Sequence, residues 1–138
     1  MALNTQLSEL AVNAQGDALS ALLDGGSLRI YSGFQPRSAD DDVPEGAALL
    51  VELMFASPAA GPAERGEIAF EGFSDGLAKA SGRATWFRAV SADGAAVIDG
   101  SVGTQNANLI VTQAYIEAGK TVRVSRLSHV IAPASPGH

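Results

Sequence analysis

Hydrophobic and polar positions divide this chain into two regimes. Up to Leu23, the apolar residues Leu7, Leu10, Ala11, Ala14, Ala18, Ala21 and Leu22 recur at steps of three and four, which places them on one helical stripe. Asn4 or Thr5 can cap the start, and Gly25-Gly26 can end the helix in a left-handed turn. The pattern predicts a helix over about 7–23, with Gly16 weakening its middle by about 1 kcal/mol relative to alanine. Half of the stripe is alanine, so it suits close packing, either on a sheet of its own domain or on a neighbouring subunit.

From Ser27 onward the period changes to two. Leu28 and Ile30 alternate with Arg29 and Tyr31, giving a first strand that Gly33 closes. Residues 34–46 carry two prolines and the run Asp40-Asp41-Asp42 with no periodicity, which predicts a long surface loop. Ala47 to Phe55 is the strongest strand; both of its faces are largely apolar, which predicts a central position or cover on both sides. After a Pro/Gly/Ala loop over 56–66, residues 67–73 and 77–80 flank an Asp75-Gly76 turn and predict a hairpin. A second hairpin is expected from 83–90 and 95–102 around Asp93-Gly94, with Trp86 as a core anchor and a bend or bulge between Gly100 and Gly103. Short strands at 109–111 and 115–117 precede a last strand over 120–131, whose alternation slips near Arg126-Leu127; a bulge there returns Leu127, then Val130 or Ile131, to the core. About eight or nine short strands behind one helix predict a mainly β protein, a jelly-roll-like antiparallel β-sandwich. The implied organisation is a helical segment over 1–26 that can serve as an arm, a β-sandwich over 27–131, and a loose tail over 132–138.

Composition narrows the function. At 138 residues the chain is the size of one domain and needs no metal or disulfide staple. The absence of cysteine removes thiolate zinc sites and thiol nucleophiles. A net charge of −6 argues against nucleic acid, whose binding needs clustered Lys and Arg. Charged residues make up only 17% of the chain, a sparse surface suited to contact with other proteins. No Lys or Arg occurs before Arg29, so the basic start of a secretory signal is missing, and no apolar run approaches the roughly 20 residues that span a bilayer. A soluble protein made in the cytoplasm, with no membrane partner, is the expectation.

Catalytic signatures are missing. The base of a serine-type hydrolase is usually histidine, and only His129 and His138 are present, one expected at a solvated or edge position in the last strand and the other terminal. No nucleophile elbow, phosphate loop or dinucleotide fingerprint occurs. Adjacent Asp40, Asp41 and Asp42 lack the alternating acids, glycine and distant glutamate of an EF-hand, so the loop reads as solvated or as a partner contact. Glu52, Glu67, Glu71, Asp93, Asp99 and Glu117 leave a glycosidase formally open, but aromatics able to stack on sugar are few. The chain reads as a non-enzyme without cofactor or metal.

The order of segments carries a resemblance. A helix is followed by Leu-Leu-Asp-Gly-Gly-Ser-Leu-Arg-Ile-Tyr-Ser-Gly, a Pro-rich loop, Ala-Ala-Leu-Leu-Val-Glu-Leu, Gly-Arg-Ala-Thr-Trp-Phe-Arg and Ile-Glu-Ala-Gly-Lys-Thr-Val-Arg-Val. Over residues 7–131 this resembles the jelly-roll cementing, or decoration, proteins on capsids of short-tailed phages of the Bordetella type. The resemblance implies a virion subunit, paired as a homodimer, clamped on the outside of an icosahedral shell and joining neighbouring major capsid proteins. Such proteins share no catalytic residues, so none is carried over. The contact residues expected from the helix and loops are Leu7, Leu10, Phe34, Pro36, Arg37, Asp40, Asp41, Asp42, Pro58, Pro62 and Arg65. The alternatives are another virion component of tail, baseplate or fibre, and a carbohydrate-binding jelly-roll module.

Overall fold

A computed structural model describes residues 7–124 and 126–130, with Val130 described in its backbone alone. The chain is mainly β, 37% strand and 12% helix, with its one helix at the N-terminus and a curled, antiparallel-rich sheet, compatible with a β-sandwich of about eight strands. The remaining expectations, on Asn4, Thr5, Ile131, the tail over 132–138 and His138, lie outside the described residues.

Helix α1 runs from Glu9 to Leu23. Its cap is Ser8, whose hydroxyl accepts from the Ala11 amide at 3.1 Å, so the helix begins two residues later than expected. Gly25 takes a φ of +70° and turns the chain out of the helix as expected. The inward face differs from the expected stripe: Val12, Gly16, Ser20 and Leu23 are buried, whereas Leu10, Ala14, Ala18, Ala21 and Leu22 are exposed. The reason lies at Gly16, where an added Cβ would sit 2.9 Å from Ala63 Cβ and 3.1 Å from Ile68 Cγ1. Only the face with no side chain at its centre can come this close to the sheet.

Eleven strands follow among the described residues. The main sheet holds β1 (Ser27–Tyr31), β2 (Leu49–Met54), β6 (Trp86–Val90), β7 (Ala96–Gly103) and β8 (Leu109–Ile110) in the order β2-β1-β6-β7-β8, antiparallel except for β7 with β8. Alternation splits its residues cleanly. Leu28, Ile30, Val51, Leu53, Phe87 and Ala89 join the core, together with Leu23 from the helix. β3 (Glu67–Glu71) pairs with β11 (Arg126–Val130), β4 (Gly76–Leu77) with β10 (Thr121–Val122), and β5 (Gly82–Arg83) with β9 (Tyr115–Ile116).

Four local expectations change. The strand at 49–54 ends the order of the main sheet; its outer flank receives the segment over 74–79, the Ser74 amide donating to Met54 O, the Met54 amide to Ser74 Oγ and the Lys79 amide to Leu50 O. No hairpin joins 67–73 to 77–80, because each half takes a distant partner from the C-terminal strands. The expected last strand is two strands, β10 and β11, with Leu127 buried as anticipated. The bulge expected near Gly100 falls instead opposite Ala89 and Val90. Gly100 stays in register against Phe87, whose ring would lie 2.5 Å from a Cβ there. The β6–β7 hairpin forms as expected, Gly94 donating to Ser91 O, and Trp86 is fully buried.

Candidate functional site

Two loops and one helix face carry the expected contact residues, and each rests on a rigid support. The loop after β1 is closed at its base by a reciprocal pair: the Ser32 amide donates to Ala48 O, and the Ala48 amide donates to Ser32 Oγ. Trp86 Nε1 donates to Ser32 O at 3.1 Å and Thr85 Oγ1 to Gly33 O at 2.6 Å, which ties the loop to β6. Phe34 then projects into solvent with 88% of its surface exposed. Asp40, Asp41 and Asp42 are exposed, as expected of a solvated loop, and Ser38 folds the acidic run back by accepting from the Asp40 amide through its hydroxyl.

The sheet face beneath this loop is built from polar and aromatic rows. In one row Glu52, Arg29, Arg88 and Asp99 stand side by side on four strands. Arg29 Nε bonds Glu52 at 2.8 Å, and Arg88 grips Asp99 with two bonds of 2.8 and 3.0 Å. The Arg88–Asp99 pair is dry, with side chains 8% and 5% exposed. In the next row Tyr31 stacks on Trp86 with ring centres 4.5 Å apart, and the Arg88 guanidinium lies 5.6 Å from the Trp86 ring. The pair is costly to bury without such complete bonding; once made, it fixes the surface on which the loop sits.

The helix is fastened to the loop over 56–66 by three side chains on one flank. Asn13, Asp17 and Asp24 accept from the backbone amides of Gly66, Ala63 and Ala59 at 2.7, 2.7 and 2.6 Å. Leu10, Pro62 and Arg65 therefore belong to one flank of the molecule, with Pro58 exposed further along the same loop. Leu7 is half-buried just before the helix. Pro36 and Arg37 reach the helix from the other side, across a cleft of about 440 Å³ that Leu19, Asp99 and His129 also line. Phe34 and Asp40–Asp42 share no described contact with the 56–66 loop, so the expected residues fall into two groups.

On the face turned away from the sheet, Leu10 is 82% exposed and Leu22 57%, with Ala14, Ala18 and Ala21 exposed between them. A helix that is apolar on both its inner and outer faces is ordinarily covered on both. Of the two neighbours expected for this stripe, a sheet of its own domain or a neighbouring subunit, the first is not what it faces.

His129 lies on β11 in the two-stranded β3–β11 ribbon, an edge position as expected, but is half-buried, and burial lowers its imidazole pKa below the ordinary 6.5. Of the carboxylates left open for glycoside chemistry, Glu52, Asp99 and Glu71 are engaged by Arg29, Arg88 and Arg126. Among the described residues no group of three His, Asp or Glu side chains could hold a metal ion, and no helix is long and apolar enough to cross a membrane.

One feature went unread in the sequence. Arg83, Tyr115, Lys120 and Arg123 line a second cleft of about 710 Å³ between the β5–β9 and β4–β10 ribbons. Its residues come from segments read singly as turns and short strands, so no local signal marked it.

No family model, no curated protein and no solved structure matches this chain.

Proposed function

We propose that this chain is a structural virion protein that binds the outside of an icosahedral phage capsid and cements neighbouring major capsid protein subunits. It is made in the host bacterial cytoplasm, acts as a homodimer on the shell exterior and performs no catalysis. Support comes from the segment resemblance over 7–131 and, above all, from one observation: an exposed apolar stripe on a helix that is rigidly fastened to the domain behind it.

The stripe is self-complementary. Leu10, Ala14, Ala18 and Leu22 are evenly spaced about Gly16, so a two-fold, antiparallel pairing sets Leu10 of each copy against Leu22 of the other and alanine against alanine. A two-fold interface needs such a self-matching patch, and rows at four-residue spacing pack into one another in the commonest helix-crossing class. Each leucine covered this way contributes on the order of 1–2 kcal/mol. Phe34, on the loop that carries the acidic run and whose base is tied to Trp86 and Thr85 through Ser32 O and Gly33 O, has the form of an anchor for a heterologous partner, since a few aromatic anchors carry much of the energy of an interface.

The two surfaces separate in experiment. Ala14→Glu with Ala18→Glu places charge in the self-pairing stripe and should convert the dimer to monomer in sedimentation equilibrium, with stability unchanged within about 0.5 kcal/mol. Phe34→Ser should leave the dimer intact and abolish co-sedimentation with DNA-filled capsids. A Phe34→Ser protein that pellets with capsids as the parent does would refute the capsid-facing role of this loop.

A further inference from the structure

The nine Lys and Arg residues are not spent evenly. Arg29 and Lys79 face Glu52, Arg88 faces Asp99, Arg123 faces Asp75, and Arg126 faces Glu71. Among the described residues Arg37, Arg65, Arg83 and Lys120 have no carboxylate within 4.0 Å, and two of these four line the same cleft. Arg123 lines it too; its pair with Asp75 is 78% and 50% exposed, so solvent weakens that bond and leaves the charge available. Glu117 is the one acid on the lining. A molecule of net charge −6 thus brings three of its nine cations to this one cleft.

Arg83 is paired directly with Tyr115 across the β5–β9 ladder, so the two side chains leave the ribbon together on one face. The Tyr115 ring is 59% exposed, and Thr112 and Gln113 add hydroxyl and amide groups to the same wall. At about 710 Å³ the cleft falls within the size range of small-molecule sites, about 300–1,000 Å³.

We propose that this cleft binds a carboxylated sugar. The carboxylate takes the charge-assisted bonds of Arg83 and Lys120, the apolar face of the ring lies on Tyr115, and the hydroxyls meet Thr112 and Gln113. The net negative charge of the whole molecule works against a long polyanion, whereas a short ligand with one or two carboxylates feels mainly the local field. An acidic peptide would satisfy the cations but would leave the exposed ring and the hydroxyl-rich wall without a role. The cleft shares no lining residue with α1 or with the loops over 34–46 and 56–66, so this site is separate from the capsid- and dimer-contact surfaces.

Titration calorimetry of the full-length protein with sialyllactose and with trigalacturonate tests the proposal, using lactose and maltotriose as neutral partners and an Asp/Glu-rich peptide as competitor. At least one carboxylated sugar should bind about tenfold or more tightly than its neutral partner, and which one does so distinguishes a sialic acid from a uronate. Lys120→Ala and Arg83→Ala should each weaken it about tenfold, and Tyr115→Ala should weaken it while Tyr115→Phe keeps the stacking face. All four variants should keep the parent's dimer and capsid association, which separates failure of this site from failure of the cementing role. Equal affinity for neutral and carboxylated sugars, no heat from either carboxylated sugar up to about 10 mM, or tighter binding of the acidic peptide would overturn it.

Discussion

Arg88 and Asp99 show what a single pair of residues does here. Both are nearly dry and doubly bonded, so removing one partner leaves the other charge buried without compensation. Asp99→Ala should lower stability by about 3–5 kcal/mol, read as a fall in the urea midpoint, and an added Arg88→Met should recover a large part of the loss by removing the stranded cation. If the double variant is no better than Asp99→Ala alone, the pair is not what carries the energy. Titration follows from two other residues. The hydrogen bond from Arg29 lowers the Glu52 pKa below its ordinary 4.5, so its stabilisation is present above that value and is lost as pH falls through the native pKa. Burial lowers the His129 pKa below 6.5; the native state holds it neutral, so protonation favours the unfolded chain and stability declines as pH drops below 6.5. Melting temperature should therefore be flat near neutrality, slope downward below about 6.5, and steepen below about 4.5. His129→Asn should remove the first slope and Glu52→Gln should reduce the second; a parent-like profile in either variant would contradict the assignment.

At the scale of elements, local chemistry was legible in the sequence and partner choice was not. The helix falls within two residues of the expected limits, its end marked by Gly25 as expected and its start capped by Ser8 rather than by Asn4 or Thr5, and the β6–β7 hairpin follows from the tight turn at Asp93-Gly94. The inward helix face was misread because leucine weighs heavily in a hydrophobic pattern, while the face that packs is defined by the small residues Gly16 and Ser20 and by Val12 and Leu23. Asn13, Asp17 and Asp24 carry no local mark of their role; their partners lie 53, 46 and 35 positions away, a separation that no window along the chain can register. The pairings of β3 with β11 and β4 with β10 are hidden for the same reason, as is the cationic cleft lined by residues of β5, β9 and β10. Close helix approach gives this scale its own test. Gly16→Val should drive the helix away from Ala63 and Ile68 and cost about 1–3 kcal/mol, seen as a lower melting temperature. A neutral or stabilising result would mean that the helix is not seated on β3 as tightly as Gly16 implies.

For the molecule as a whole, the proposed role needs little energy from any one copy. A protein that binds the assembled shell and not its free subunits stabilises the shell according to its occupancy, so about 1–3 kcal/mol at each of many equivalent sites accumulates over a particle. A two-fold dimer doubles this effect, because each pair can hold two capsid subunits at once and the second contact forms at high local concentration. The sequence made the mainly β architecture legible. The outward stripe is visible only once the fold has sorted apolar residues into a core and a surface. Cryo-EM of purified, DNA-filled particles carrying this protein is the most direct measurement. The cementing account expects density for paired copies at icosahedrally repeated positions on the outer shell, in fixed ratio to the major capsid protein, with the helix stripes facing one another across a two-fold. Density at a single vertex, on the tail, or nowhere on the particle would contradict it.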